Sequence, residues 1–252
     1  MVDFSLSGKI ALVTGASRGI GEAIATTLAA NGAHCLLVSR KAEGLEAVAG
    51  KIRAAGGQAD VLTCNTGILN QIAELMEQVK SRFGKLDILV NNAATNPFFG
   101  EMVGADEGVW DKTFGVNVKG PFFLIQQAAP LMAASGGGAI VNVASIAGLR
   151  PGLYQGIYSI TKAALIMLTK AYAQELAGKN IRVNALLPGL TETKFAKVLI
   201  ETKEIHDAAV SQIPLRRHAQ PSEMAGAVLY LVSNASSYTT GTTIVCDGGM
   251  TI

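Results

Sequence analysis

Three side chains that can hold or move a proton stand close together in the chain: Ser145, Tyr158 and Lys162. Tyr158 and Lys162 are four residues apart, and in a helix this spacing puts both on one face about one turn apart. A positive charge beside a phenol favours the phenolate, so Lys162 is expected to lower the pKa of Tyr158 from its usual value of about 10. The pair predicts a general acid or base, with a solvated surface pair as the alternative.

A glycine-rich turn between a strand and a helix is the second feature with chemical meaning. It has the spacing GxxxGxG and runs Thr14-Gly15-Ala16-Ser17-Arg18-Gly19-Ile20-Gly21. Glycines let the backbone turn tightly and bring amide groups close to a pyrophosphate at the positive end of a helix. The turn predicts nucleotide binding, and a plain strand-to-helix connection is the alternative.

The residues that contact the adenosine ribose are expected about 20 positions further on. Ser39 and Arg40 occupy that place, and Arg18 within the turn reaches the same region. A carboxylate there would accept hydrogen bonds from a free 2′-hydroxyl, whereas arginine offers positive charge and a planar donor fork that suits a 2′-phosphate. The two arginines predict NADP(H). If both are solvated surface residues, NAD(H) stays open as the cofactor.

Composition and charge bound the class of protein. The chain has 252 residues, of which 49% are hydrophobic and 16% are charged, which suits one α/β domain with a sheet buried on both faces, or a subunit of an oligomer. The net charge is +2 and the basic residues are scattered, so neither a nucleic-acid stripe nor a membrane-attracting patch is predicted. No apolar run reaches the roughly 20 residues of a membrane span and no signal-peptide core is visible, so we expect a soluble cytoplasmic protein.

Cysteines and histidines are few and far apart in the sequence. Cys35, Cys64 and Cys246 each lie in an apolar, strand-like segment without metal-binding spacing, so buried reduced thiols are expected. The three histidines form no local zinc or Ser-His-Asp motif. We therefore predict no metal site.

Apolar runs of strand length alternate with amphipathic segments along the chain. The strand-like runs are Ile10–Thr14, His34–Val38, Asp60–Cys64, Ile88–Asn91, Gly138–Val143, Arg182–Leu187 and Thr243–Cys246. The helix-like segments are Glu22–Asn31, Glu43–Ala55, Asn70–Arg82, Trp110–Ala134, Tyr158–Ala177 and Pro221–Val232. Continuous β-rich runs suit parallel strands covered on both faces, so the pattern predicts an α/β fold with a doubly wound, seven-stranded parallel sheet flanked by helices on both faces.

The polar stretch Gly189–Gln220 follows a predicted strand end, where ligands bind in sheets of this kind. We interpret this stretch as an inserted substrate-binding lid of short helices, and a plain surface excursion is the alternative. No internal repeat, low-complexity tract or domain boundary is apparent, so residues 1–252 are interpreted as a single domain.

Further motifs follow the glycine turn in a fixed order, namely Asn91-Asn92-Ala93-Ala94, Asn117, Ser145 and Tyr158-x-x-x-Lys162. With these motifs the chain resembles the short-chain dehydrogenase/reductase family over essentially its whole length. Within that family it resembles NADP-dependent carbonyl reductases and 3-oxoacyl-acyl-carrier-protein reductases. The resemblance implies a single-domain Rossmann fold and an oxidoreductase that transfers hydride with NADP(H).

The resemblance also implies a catalytic tetrad of Asn117, Ser145, Tyr158 and Lys162. Tyr158 would pass a proton to a carbonyl oxygen as hydride arrives from the nicotinamide, and Ser145 would hydrogen bond the same oxygen. Lys162 would hold the nicotinamide ribose, and Asn117 would anchor a water that links Lys162 to solvent. The alternatives without function are loop capping by Ser145, backbone hydrogen bonding by Asn117 and simple packing of Tyr158.

The same resemblance assigns the cofactor-binding residues. They are Gly15, Ser17, Arg18, Gly19, Ile20, Gly21, Ser39, Arg40, Asn65, Thr66, Asn91, Ala93, Tyr158, Lys162, Pro188, Gly189, Leu190, Thr191 and Thr193. Two positions depart from the family pattern. Ala94 replaces the last glycine of the usual Asn-Asn-Ala-Gly, which tightens the space near the cofactor, and Asn65 stands where an aspartate often faces the adenine. Neither departure touches the hydride chemistry.

The substrate walls are expected in Thr95–Phe99, Ile146–Gln155 and the lid, with apolar side chains at Phe98, Phe99, Leu149, Leu153, Tyr154 and Phe195. Because Arg150 is one of few charged groups there, we expect a hydrophobic or mid-sized ketone or aldehyde that is interconverted with its alcohol. A 3-oxoacyl-acyl-carrier-protein reductase is the competing enzyme, and a catalytically silent nucleotide-binding sensor or scaffold is the alternative from another class. The resemblance further implies a homotetramer built through the helices Trp110–Ala134 and Tyr158–Ala177 and the C-terminal strand.

Overall fold

A seven-stranded, all-parallel sheet forms the centre of the protein in the computed structural model, which describes residues 2–194, 200 and 202–252. The strand order is β3-β2-β1-β4-β5-β6-β7. The strands are β1 (Ile10–Thr14), β2 (His34–Ser39), β3 (Gln58–Thr63), β4 (Ile88–Asn91), β5 (Gly138–Val143), β6 (Ile181–Pro188) and β7 (Thr243–Cys246). The predicted parallel sheet is confirmed, although β3 begins and ends earlier than the apolar run Asp60–Cys64 indicated.

Helices cover both faces of this sheet. One face carries α1 (Gly19–Ala30), α2 (Ala42–Ala54) and α8 (Pro221–Val232), and the other carries α3 (Leu69–Phe83), α5 (Gly120–Ala134) and α6 (Gly156–Leu176). Neighbouring strand residues point into opposite layers: Val13 packs with the first set of helices and Leu12 with the second, and both are fully buried. Burial on both faces is the reason that the strands are continuous apolar runs.

The predicted helix Trp110–Ala134 is divided into two helices by a π turn. α4 (Glu107–Phe114) leads into the π turn Gly115–Lys119, and α5 follows directly. The Gly120 N–H closes the wide turn by donating to the main-chain oxygen of Gly115. A side chain on Gly120 would collide with the main-chain oxygen of Thr66, so glycine permits the close approach that accompanies the turn.

The described part of the predicted lid lies against the carboxyl end of the sheet. Thr191 forms a parallel bridge with Ala219, and α7 (Lys203–Ser211) occupies the segment between them. A ring nitrogen of His206 on α7 lies 3.0 Å from a ring nitrogen of His218, which ties the helix to the bridged segment. The substrate-binding role of the segment 189–220 stays a prediction.

In the ranges 2–194, 200 and 202–252, no helix has the length and apolar character that crossing a membrane requires.

Candidate active site

One large cleft runs along the carboxyl ends of the strands and has a volume of ≈ 1930 Å³. Its wall includes the glycine turn after β1, the ends of β2, β4, β5 and β6, and part of α7. The strand order reverses between β1 and β4, and in open α/β sheets a ligand crevice forms at such a switch point. The cleft therefore lies where the topology favours binding.

Ser145, Tyr158 and Lys162 are brought together in this cleft. Tyr158 and Lys162 come from the first turns of α6 and are 8% and 2% exposed. The Lys162 ammonium lies 5.5 Å from the centre of the Tyr158 ring and donates a hydrogen bond to the main-chain oxygen of Val143 at 2.8 Å. Ser145 follows β5, caps a short 3-10 turn by accepting from the Ala147 N–H at 3.1 Å, and hydrogen bonds with Tyr158.

Burial sets the pKa values of the two ionisable groups in this arrangement. Burial raises the pKa of Tyr158 to about 12, and the hydrogen bond with Ser145 opposes that rise only in part. Burial also lowers the pKa of Lys162 to about 7. The expected lowering of the tyrosine pKa is therefore wrong for this structure, because loss of hydration on burial is the largest cause of the shift. At neutral pH Tyr158 holds its proton.

Asn117 lies in the π turn, where its side chain is 1% exposed and is committed to the protein. Its amide nitrogen donates to the Thr95 main-chain oxygen at 2.9 Å and to the Thr161 hydroxyl at 3.0 Å, while its amide oxygen accepts from the Thr95 N–H at 2.8 Å. The side chain thus ties the loop after β4 to α6. Anchoring of a water by Asn117 stays a prediction.

The glycine turn packs so closely that side chains would not fit. Gly15 and Gly19 have φ of +66° and +59°, a region that favours glycine. A Cβ on Gly15 would lie 2.8 Å from the Asn92 amide nitrogen, and one on Gly19 would lie 3.2 Å from Cγ2 of Thr193 across the cleft. The turn leads directly into α1, which begins at Gly19 without a side-chain cap. The backbone N–H groups of this turn, at the start of a helix, suit the phosphates of a dinucleotide.

The adenosine end of the cleft is mainly basic. Arg18, Arg40 and Lys41 line it and are exposed, and the Ser39 hydroxyl donates to the main-chain oxygen of Lys41 at 3.0 Å. Glu43 in the first turn of α2 lines the same region and was not predicted as a site residue. Three cations against one carboxylate still make this end suited to a phosphate.

Asn91 is the cofactor-binding candidate whose side chain does not line the cleft. It is 2% exposed, its amide nitrogen donates to the Asn142 side chain at 2.9 Å, and its amide oxygen has no hydrogen-bond partner within the described ranges. A strand alternates its side chains between the two faces, and Asn91 points into the protein while Asn92 reaches the cleft. The side chain thus points away from the cleft, and the expected position of Asn91 beside the adenosine ribose stays a prediction.

The other cofactor candidates all line the cleft. They are Gly15, Ser17, Arg18, Gly19, Ile20, Gly21, Ser39, Arg40, Asn65, Thr66, Ala93, Tyr158, Lys162, Pro188, Gly189, Leu190, Thr191 and Thr193. The two departures from the family pattern, Asn65 and Ala94, lie on the same wall, and the Asn65 side chain accepts from the Gly67 N–H at 3.1 Å.

Thr14 and Asn92 support the site, and the sequence motifs did not predict this role for either residue. The Thr14 hydroxyl accepts from the N–H groups of Asn92 and Ala93 at 2.9 and 3.0 Å, and the Asn92 amide donates to the main-chain oxygens of Thr14 and Gly15 at 2.9 and 3.3 Å. These bonds fix the glycine turn to the end of β4. The sequence signal that could have indicated this role is a threonine at the end of an otherwise apolar strand.

The predicted substrate walls are realised in part. Phe99, Leu153 and Tyr154 line the cleft, whereas Phe98 and Leu149 do not. The Phe98 ring instead lies beside Gly100, because a Cβ added to Gly100 would be 3.1 Å from Cζ of Phe98. The predicted wall residue Phe195 lies outside the residues that the structure describes.

Comparisons with known proteins agree with this arrangement. The family model described as enoyl-(acyl carrier protein) reductase matches residues 15–251. The chain is 41% identical over 244 residues to dehydrogenase/reductase SDR family member 4 of Oryctolagus cuniculus, covering 97% of this chain and 94% of that protein. It is 39% identical over 247 residues to the 3-oxoacyl-(acyl-carrier-protein) reductase FabG of Thermotoga maritima, covering 98% and 99%.

A solved structure has the same fold as this chain. The gluconate 5-dehydrogenase from Burkholderia cenocepacia, in complex with NADP and tartrate, matches with a TM-score of 0.95 at 32% identity, covering 99% of this chain and 98% of that one. Fold and sequence similarity both extend over nearly the whole length of the protein. The chain belongs to the short-chain dehydrogenase/reductase family of oxidoreductases.

Proposed function

We propose that the protein interconverts a ketone or aldehyde and the corresponding alcohol with NADP(H), using Tyr158 as the general acid and base. The observation that carries this proposal is the shared cleft: Ser145, Tyr158 and Lys162 line the same cavity as the glycine turn and Arg40. When bound, a nicotinamide cofactor supplies hydride in one direction and accepts it in the other. The protein must then bind the carbonyl oxygen and handle one proton.

Tyr158, Ser145 and Lys162 each have a different role in this reaction. In reduction, Tyr158 gives its proton to the carbonyl oxygen as negative charge develops there, and Ser145 donates a hydrogen bond to the same oxygen. Burial keeps the phenol protonated until such a basic oxygen forms, because it raises the pKa of Tyr158 to about 12. The Lys162 amine, whose pKa burial lowers to about 7, provides a group that returns a proton to the phenolate at neutral pH and holds the cofactor ribose.

The basic adenosine end supports NADP(H) as the cofactor. Arg40 is exposed directly after β2 and lines the same cleft as the glycine turn, and its guanidinium would bind the 2′-phosphate. NADP is bound in the related gluconate 5-dehydrogenase, which supports a nicotinamide dinucleotide here.

A small carbonyl compound is favoured over an acyl-carrier-protein substrate. Recognition of a carrier protein requires a basic surface beside the cleft. Arg217 makes two hydrogen bonds of 2.7 Å to the Glu223 carboxylate, and Arg216 donates to the main-chain oxygen of Ser211 at 2.6 Å. Lys112, Arg150 and Lys194 also line the cleft, together with the carboxylates of Asp111 and Glu204. The apolar Phe99, Leu153 and Tyr154 share this wall, and such a mixed lining suits a small hydrophobic substrate better than a carrier.

The proposal is tested by substituting Tyr158→Phe and assaying NADPH oxidation with a panel of ketones. Loss of the phenolic proton is expected to lower kcat by roughly 10²- to 10⁴-fold, with NADPH binding retained. Tyr172→Phe is the matched control, because Tyr172 lies on the same helix and its hydroxyl donates to the Phe122 main-chain oxygen at 3.1 Å. Undiminished turnover in Tyr158→Phe contradicts the mechanism. Absence of ketone reduction by the wild type favours the silent sensor.

The same proposal includes a homotetramer. Large apolar side chains are exposed on α4, α5 and α6, among them Trp110, Phe122, Ile160 and Met167, and Ala163 and Ala171 of α6 are also exposed rather than packed in the core. Exposed apolar helix faces of this kind support subunit association. A monomeric mass in solution contradicts this part of the proposal.

We further place the protein in the cytoplasm. Cys35, Cys64 and Cys246 are free thiols, and burial raises the pKa of Cys35 to about 12. Unreactive reduced thiols support a reducing compartment.

A further inference from the structure

We propose that Tyr154, together with Phe99, is the specificity-determining wall of the substrate half of the cleft and selects carbonyl compounds that carry a flat apolar group. Both side chains line the cleft that contains Ser145 and Tyr158. This inference rests on the proposed carbonyl chemistry and adds the class of substrate that the site accepts.

The backbone of Tyr154 is held in an unfavourable conformation. Its φ is +60°, and within the described ranges Asn180 and Arg216 are the other non-glycine residues with positive φ. An aromatic residue is rarely found in this region, and such strain persists where the surroundings over-determine it, often at ligand-binding positions. Glycine would adopt the same turn without this cost, so the aromatic side chain is present at the expense of backbone energy.

Two contacts hold the strained residue against the opposite loop. The Tyr154 main-chain oxygen accepts a hydrogen bond from the Gly100 N–H at 3.1 Å. The Tyr154 and Phe99 rings meet edge to face, with centroids 5.8 Å apart and an interplanar angle of 67°. The pair therefore joins the loop after β4 to the loop before α6 and forms a preorganised aromatic surface.

This aromatic surface is still available to a ligand. Phe99 is 50% exposed and Tyr154 is 43% exposed, and the neighbouring Leu153, also on the cleft wall, is 78% exposed. A flat apolar group would cover these faces and gain both burial and ring contacts. A polyhydroxylated group placed there would lose water and gain no hydrogen bonds from the ring faces, because the Tyr154 hydroxyl is the one polar side-chain group of the pair.

The position of Tyr154 connects this surface to the chemistry. Tyr154 comes two residues before the start of α6 at Gly156, and Tyr158 lies in the first turn of that helix. The Gln155 main-chain oxygen accepts from the Ser159 N–H at 2.8 Å, so the loop continues into the helix without a flexible link. A group packed on Tyr154 is thus oriented relative to the proton donor.

The test compares three ketones, an aryl methyl ketone, butanone and a polyhydroxylated ketone, with the wild type and two variants. Tyr154→Gly removes the ring while fitting the positive φ, so folding is retained. Tyr154→Phe keeps the ring. For Tyr154→Gly we expect kcat/KM for the aryl ketone to fall about tenfold or more, with butanone changed less than twofold. Tyr154→Phe is expected to match the wild type.

Asn180→Gly is the backbone control, because Asn180 has a positive φ and lies outside the cleft lining. This variant is expected to leave kcat/KM unchanged for all three ketones.

The outcomes separate this inference from the proposed function. An active wild type whose ratio of aryl to alkyl reduction is unaltered in Tyr154→Gly overturns the inference alone. So does a wild type that prefers the polyhydroxylated ketone to the aryl ketone. A wild type that reduces no ketone with NADPH contradicts the proposed function and overturns the inference with it. Selective loss of aryl turnover in Tyr154→Gly, with Tyr154→Phe intact, supports both.

Discussion

The side-chain amide of Asn117 donates a hydrogen bond to the Thr161 hydroxyl at 3.0 Å, and this contact joins the π turn to the helix that carries Tyr158. The Thr161 hydroxyl donates in turn to the main-chain oxygen of Tyr158 at 2.7 Å. Asn117 also holds the Thr95 main chain through both its amide atoms. Because Asn117 and Thr161 are 1% and 0% exposed, a buried chain of hydrogen bonds links the loop after β4 to Tyr158.

Thr161→Val is predicted to weaken both folding and catalysis. The valine keeps the shape of threonine but leaves one buried Asn117 N–H without an acceptor, which costs about 1–3 kcal/mol of unfolding free energy. Loss of the hydrogen bond between Asn117 and Thr161 is also expected to lower kcat roughly 10- to 100-fold, because the positions of Tyr158 and of the loop at Thr95 are then no longer fixed relative to each other. Urea unfolding and steady-state kinetics measure the two effects. Thr161→Ser keeps the hydroxyl and should restore both.

A control on the same helix separates positioning from stability. The Thr169 hydroxyl donates to the Leu165 main-chain oxygen at 2.8 Å and accepts from the Asn142 amide at 2.9 Å, away from the cleft. Thr169→Val should therefore lose similar stability and keep its kcat. If both valine variants lose the same activity, Thr161 contributes only to folding.

Arg40→Asp is predicted to reverse the preference between the two nicotinamide cofactors. The arginine is exposed at the end of β2 beside the basic residues Arg18 and Lys41. Its replacement removes a charge-assisted donor and puts a negative charge near the expected 2′-phosphate, so kcat/KM for NADPH should fall by roughly 10- to 100-fold. The value for NADH should hold or rise, because a carboxylate accepts from a free 2′-hydroxyl. Equal losses with both cofactors contradict the assignment to NADP(H).

The sheet and most of the cleft follow from local sequence rules. Strands such as β1 are buried on both faces, so an uninterrupted apolar run identifies them without knowledge of their neighbours. The glycine turn and the Tyr158–Lys162 spacing were equally local, because both depend on residues a few positions apart.

What the sequence did not predict depends on residues that are distant in the chain. The π turn depends on the contact between Gly120 and the Thr66 main-chain oxygen, and an amphipathic pattern continues through it unchanged. The direction of the Tyr158 pKa depends on how many neighbours exclude water, which spacing from Lys162 does not indicate. The inward direction of the Asn91 side chain follows from the alternation of the strand, which the motif alone does not show.

Lys162→Met is predicted to change how stability depends on pH. Burial lowers the pKa of Lys162 to about 7 in the folded protein, whereas a lysine in the unfolded chain has a pKa of about 10.4. Between these values the unfolded chain binds more protons, so this lysine makes the free energy of unfolding increase as pH rises, by up to about 1.4 kcal/mol per pH unit. Below pH 7 both states are protonated and the dependence ends.

The difference between wild type and Lys162→Met isolates this contribution from that of other titrating groups. Urea unfolding at pH 6, 7, 8 and 9 should show the variant at its greatest relative stability at pH 6 and pH 7, with the wild type gaining on it from pH 7 to pH 9. Loss of the hydrogen bond to the Val143 main-chain oxygen shifts the variant by a constant amount, because that bond is to an atom that does not titrate. Lys170→Met, at an exposed position of α6, should give no such slope. A wild-type-minus-variant difference that stays constant from pH 7 to pH 9 would mean that Lys162 is hydrated like an ordinary surface lysine, and its proposed return of a proton to Tyr158 at neutral pH would then fail as well.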